Sequence, residues 1–195
     1  MADYFIGEWN GHKIEVENGL KETLKIDGKV VDETKIGIRF GMLLKAEMPG
    51  TDGLMCYVLL DGGFTLKIYC IIGKILETTY DKELKTFNTE YNGDTITAIN
   101  NRNSVLRING EEVDRDKGGL HFSCLSEGPA DAEGKRVIAL FDGISKFKLN
   151  AEVTVFADAV TPELKQYVKD KKGKLVPITE AGGKVFKVIE KDKKE

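Results

Sequence analysis

An internal repeat constrains this chain more than any other feature. Residues 9–32 laid over residues 91–114, 82 positions on, match at nine of 24 positions without a gap. Asn10-Gly11 meets Asn92-Gly93, Ile14 meets Ile96, and Asn18 meets Asn100. Leu24, Ile26 and Gly28 meet Leu106, Ile108 and Gly110, and Val31-Asp32 meets Val113-Asp114. Phe40 and Leu43 continue at the same offset as Phe122 and Leu125. At an offset of 81, Leu59, Asp61-Gly62 and Lys67 match Leu140, Asp142-Gly143 and Lys148; at 80, Glu83-Leu84-Lys85 matches Glu163-Leu164-Lys165. Gly173, Val176, Val185, Lys187 and Val188 follow Gly93, Ile96, Val105, Arg107 and Ile108 in the same order. Such ordered self-similarity predicts repeated structural units: two copies over 1–88 and 89–170, and a partial third, a terminal hairpin with a basic tail, over 171–195.

Each copy reads as β-structure. In 12–17, Ile14 and Val16 point one way and Lys13, Glu15 and Glu17 the other, the period of a half-buried strand. Asp27-Gly28 and Asn109-Gly110 sit between alternating runs, the strongest short hairpin signal, because both turn residues must accept positive φ. Further strands are expected near 36–47, 54–60 and 64–76, and near 118–126, 135–141 and 145–156. Thr161-Pro162-Glu163 carries helix-start signals: a capping hydroxyl, Pro at the first helical position and an acid in the first turn. A short helix is therefore expected at the end of each copy. The fold class is mainly all-β: a tandem of two small antiparallel β-sandwich or barrel domains, each with a short helix, plus a C-terminal hairpin in which 174–176 and 185–188 supply strands.

The segment Leu-Lys-Ile-Asp-Gly-Lys-Val-Val at 24–31, between an alternating strand and a Phe-containing one, resembles the β-sandwich domains of the Fas apoptotic inhibitory molecule family. The resemblance covers about 30 residues per copy and rests on hairpin chemistry. It implies a non-enzymatic protein that acts through protein contacts, and it carries over no functional residue.

Charge excludes some classes. The 195 residues hold 29 Lys+Arg against 32 Asp+Glu, a net charge of −3, which argues against a nucleic-acid binder. Ten Lys against six acids in 163–195 give the tail the opposite sign from the rest. No apolar run is long enough to cross a bilayer, and Met1 to Asn10 lacks the pattern of a secretory signal. Cys56, Cys70 and Cys124 form no CxxC pair and read as buried free thiols of a reducing, cytoplasmic compartment.

A search for chemistry finds no catalytic residue, metal site or cofactor motif. His12 and His121 have no second His or Cys at metal spacing. Where one copy has a thiol, the other has Val137, Ala151 or Met42, as core filling predicts. Two aromatics stand at equivalent positions, Trp9 and Tyr91, either as plugs of a sandwich end or as contact platforms. The strand through Leu66, Ile68, Cys70 and Ile72 also carries Tyr69 and Ile71 on its second face, where the other copy has Asn150 and Glu152. A strand apolar on both faces is normally covered on both. Trp9, Tyr91, Tyr69 and Ile71 are therefore the candidate ligand or partner patch. The reading is a non-catalytic cytosolic binding or interaction protein with a protein or small-molecule partner. The alternatives are an enzyme with a site in the interdomain cleft and a carrier of an apolar small ligand. Ligand identity and oligomeric state are open at this level.

Overall fold

Alternating apolar residues give strands throughout. The computed structural model describes residues 3–34, 41–61, 67–100, 103–116, 123–143 and 152–178. The chain opens with β1 (Asp3–Trp9), β2 (His12–Asn18), β3 (Glu22–Ile26) and β4 (Lys29–Glu33). Next come β5 (Gly41–Glu47), β6 (Leu54–Asp61) and β7 (Lys67–Leu76). A second series follows: β8 (Thr79–Asp81), β9 (Thr86–Tyr91), β10 (Asp94–Asn100), β11 (Ser104–Ile108) and β12 (Glu111–Asp116). The chain continues with β13 (Ser123–Glu127), β14 (Arg136–Asp142) and β15 (Glu152–Val160), and then β16 (Lys165–Lys169) and β17 (Leu175–Pro177). The protein is all-β, with three sheets ordered β17-β16-β1-β2-β3-β4, β12-β11-β10-β9-β8 and β13-β14-β15-β7-β6-β5.

The chain forms two compact units that do not follow chain order. The first holds 1–46, 57–70 and 162–195, and the second 47–56 and 71–161. In the first unit, β1 pairs on one side with β2 and on the other with β16, so C-terminal residues complete the N-terminal sheet. Ile14 faces Ile26 and Val16 faces Leu24 across β2 and β3, and all four side chains are buried. Gly7 lets β1 pass close to residues 163 and 164: a Cβ there would lie 2.5 Å from the Glu163 carbonyl oxygen.

In the second unit, Ile96, Ala98 and Leu106 of β10 and β11 pack against Cys124, Ala139, Phe141 and Val155 of β13 to β15. Two sheet faces thus meet over one apolar layer. Gly73 permits an equally close approach of β7 and β15, since a Cβ there would lie 2.8 Å from Ala159 Cβ.

Local geometry recurs 82 residues apart. Strands β2 and β10 have the same length and differ in start by that number, as do β3 and β11. Asp27 and Asn109 have φ of 52° and 53°, and their glycines 76° and 81°. Asp27 N–H donates to Lys13 O at 2.9 Å, and Asn109 N–H to Thr95 O at 2.8 Å. Asp32 accepts the Lys45 N–H at 2.8 Å, and Asp114 the Glu127 N–H at 2.9 Å. The β3–β4 register shifts after Leu24, and the β11–β12 register after Leu106.

The expected short helices are corrected: no helix occurs among the described residues. Only four residues separate Val160 from Lys165, and Lys165 already pairs with Ile6 of β1. Tertiary pairing overrides the Thr161-Pro162-Glu163 start signals. After β8, the Asp81 carboxylate accepts the N–H groups of Glu83 and Leu84 at 2.8 and 3.0 Å, and Lys85 takes φ of 55°. That is a turn held by a side chain, not a helical start.

Of the expected terminal hairpin, Leu175–Pro177 forms β17 and pairs with β16, and 185–188 lie outside the described residues. Asp170 closes this hairpin by accepting the N–H groups of Lys172 and Lys174 at 2.8 and 2.9 Å. Phe40, Gly62, Leu66, Phe122 and Asn150 also lie outside the described residues. Cys56, Cys70 and Cys124 are buried and form no disulfide. Among the described residues no helix is long and apolar enough to cross a membrane.

Candidate functional site

Two-residue turns set the geometry of both hairpin ends. In the first unit, Asn10-Gly11 joins β1 to β2, with φ of 47° and 79°. Trp9, the last residue of β1, stands half-buried opposite His12. Asp27, from the neighbouring β3–β4 turn, uses both oxygens here. Its Oδ1 accepts the Lys13 N–H at 2.9 Å, and its Oδ2 lies 2.7 Å from His12 Nδ1. The His12 hydrogen bond, with the Lys13 N–H second, holds the Asp27 carboxyl below its ordinary pKa.

The second unit solves the same problem with exchanged chemistry. Asn109 Oδ1 accepts the Thr95 N–H at 3.0 Å, and Asn109 Nδ2 donates to Asp94 Oδ1 at 2.7 Å. The acceptor Asp27 faces the ring nitrogen of His12, and the donor Asn109 faces the acceptor Asp94. The backbone requirement is constant, and the side chains differ in matched pairs.

Tyr91 ends β9 as Trp9 ends β1. Its hydroxyl donates to Asp158 Oδ2 at 2.5 Å. Asp158 lies exposed in β15, with φ of 48°, where the β15–β7 register shifts between Ala157 and Val160. A bulge of this kind turns a side chain out of the strand alternation. The hydrogen bond from Tyr91 to the Asp158 carboxylate raises the phenol pKa.

Lys135 joins this cluster. Its Nζ lies 2.6 Å from Glu133 Oε2, and its pKa is raised, first by Glu133 and further by the charges of Asp158 and Asp131. Asp131 holds the loop by accepting the N–H groups of Glu133 and Lys135 at 2.9 and 2.8 Å. The cluster presents a phenol, carboxylates and an ammonium at an open surface. That chemistry suits polar contacts with a partner. Among the described residues no group of three or more His, Cys, Asp or Glu is placed to hold a metal ion.

The four residues singled out from the sequence fall in different settings. Trp9 and Tyr91 occupy equivalent ends of β1 and β9 in separate units. Tyr69 is half-buried in β7, and Ile71 is fully buried at 0% exposure. The chain itself covers Ile71, so a partner contacts no part of its side chain. Asp158 and Lys135 were not singled out. The polar Asp158 between Ala157 and Ala159 in an apolar run was the available signal. Comparison with known proteins brings no match: no family model, no curated protein and no solved structure matches this chain.

Proposed function

We propose that the chain is a non-catalytic, cytosolic interaction protein. It is built as a tandem of two diverged β-sandwich copies, over 1–88 and 89–170, with the start of a third beyond them. One observation carries the reading. Backbone geometry and its supporting hydrogen bonds recur 82 residues apart, while the exposed side chains at the same hairpin ends differ. A scaffold kept constant beneath diverged tips fits recognition of a partner at Trp9 and His12 in one copy and at Tyr91, Asp158 and Lys135 in the other. The resemblance of residues 24–31 to the Fas apoptotic inhibitory molecule domains, which act through protein contacts, points the same way. Three buried cysteines outside any disulfide support a reducing compartment.

The test is cross-linking of the full chain in extract, with bound partners identified by mass spectrometry. A binder held by the native chain and lost from Trp9→Ala, Tyr91→Ala or the double variant, at unchanged melting temperature, supports the reading. Binding indifferent to both tips, or turnover of a substrate by the purified chain, contradicts it.

A further inference from the structure

We propose that the β4 edge is a self-association surface at which a second copy of this chain adds its own β4, antiparallel. Among the described residues, strand β4 ends its sheet, with β3 as its neighbour in the sheet order. It carries two large apolar side chains in water: Val30 is 55% exposed and Val31 41%. An edge strand of this kind is a template for pairing with another chain unless charge, bulging or cover blocks it.

The geometrically equivalent strand of the second unit shows how the same edge looks when it is blocked. In β12, Glu112 stands where β4 has Val30, and Arg115 where β4 has Glu33. Arg115 Nη2 lies 2.6 Å from Glu112 Oε2, so a salt bridge covers that stretch. Val113 packs against the core of its unit, whereas its counterpart Val31 is exposed. At the matching positions the first unit carries Val30 and Glu33 in place of that ion pair.

The sequence of β4 says which partner fits. It reads Lys29-Val30-Val31-Asp32-Glu33: a cation at one end, two valines in the middle, two acids at the other. Antiparallel pairing of two copies brings the valines together and sets Lys29 of each copy beside the acidic end of its mate. Asp32 is already engaged by the Lys45 N–H, so Glu33 is the available acid. Its ion pair with Lys21, at 3.5 Å, joins two half-exposed side chains and is readily exchanged. The same alignment of β12 sets Glu112 of each copy opposite Asp114 of its mate, like charge against like, and Glu111 opposite an Arg115 already paired with Glu112. A five-residue edge buries less than a standard interface, so the association is weak and concentration-dependent.

Sedimentation equilibrium of the full chain over the micromolar to millimolar range tests this. The native protein is expected to show a reversible monomer–dimer equilibrium. Val30→Glu, which installs the residue of the blocked edge, is expected to weaken dimerisation about tenfold or more. Lys29→Glu and Glu33→Lys are each expected to weaken it, and the double charge swap to restore it. Far-ultraviolet circular dichroism and melting temperature verify folding; all three substituted positions lie exposed on the edge. A native chain that stays monomeric throughout overturns the proposal. So does a dimer that persists in Val30→Glu, or one that the double swap fails to restore.

Discussion

Substituting Gly7 by Ala probes how the C-terminal segment closes the N-terminal sheet. A Cβ at residue 7 would sit 2.5 Å from the Glu163 carbonyl oxygen and 2.7 Å from Leu164 Cδ2. Both are well inside van der Waals contact. The Leu164 methyl belongs to a side chain only 4% exposed, and the Glu163 carbonyl is backbone two residues from the first β1–β16 pair, Ile6 with Lys165. Neither neighbour can retreat without shifting β16. Overpacking of this kind costs about 1–3 kcal/mol. Removing glycine's freedom from the unfolded chain offsets about 0.4–1 kcal/mol of that. The net loss is about 1–2 kcal/mol, which lowers the melting temperature of a chain this long by about 2–8 °C. Urea denaturation followed by circular dichroism measures it. Adding Leu164→Ala removes one of the two clashes, so the double variant is expected to lose less than the sum of the singles. A Gly7→Ala protein within about 0.5 kcal/mol of the native one, or strict additivity with Leu164→Ala, refutes the close approach.

Other perturbations give equally distinct outcomes. Asn109→Asp replaces the donor facing Asp94 with a second carboxylate, so it destabilises at neutral pH and recovers as pH falls and one of the pair takes a proton; Asp94→His restores stability at neutral pH by recreating the His12–Asp27 pairing. A denaturation series from pH 7 to pH 3 reads both, and an Asn109→Asp protein with native stability at pH 7 counts against the arrangement. The lowered Asp27 pKa contributes stability that is present above the unfolded carboxylate value of about 3.9 and is lost as pH falls through the folded value; Asp27→Asn therefore differs more from the native chain at pH 7 than at pH 2. Val113→Ala should cost more than Val31→Ala, because Val113 packs on a core and Val31 is 41% exposed; equal melting temperatures would contradict this. Truncation after Asp170 removes β17 and buried Ile178, and the side chain alone is worth about 1.5–3 kcal/mol; unchanged melting would show that β17 adds nothing.

The features legible in the sequence were those fixed by neighbouring residues. Asp27-Gly28 and Asn109-Gly110 were readable because a two-residue hairpin requires positive φ at both positions, and few residue pairs supply it. Ile14 and Val16 were readable because a half-buried strand alternates. What the residues hid was decided across long sequence distances. The helix signals at Thr161-Pro162 were sound locally but lost to pairing of Lys165 with Ile6, more than 150 positions away. The composition of each sheet was equally hidden, since no local pattern tells β1 that β16 will lie beside it. Tyr69 and Ile71 read from the sequence as a second apolar strand face, and the fold leaves Tyr69 half-buried and Ile71 buried. The cover over Ile71 comes from its own chain and could not be assigned from sequence. Asp158 was visible as an isolated acid, but its positive φ and its reach to Tyr91 follow from a register shift that only the paired strands define.

The central claim is that one hairpin geometry is built twice, 82 residues apart, beneath different tips. Cross-strand nuclear Overhauser contacts in an assigned spectrum of the full chain test it most directly. The account predicts Ile14 opposite Ile26 and Val16 opposite Leu24, matched by Ile96 opposite Ile108 and Ala98 opposite Leu106. It also predicts the same one-residue slip to the next strand after Leu24 and after Leu106. A different register in either hairpin, or a slip present in one and missing in the other, would contradict it.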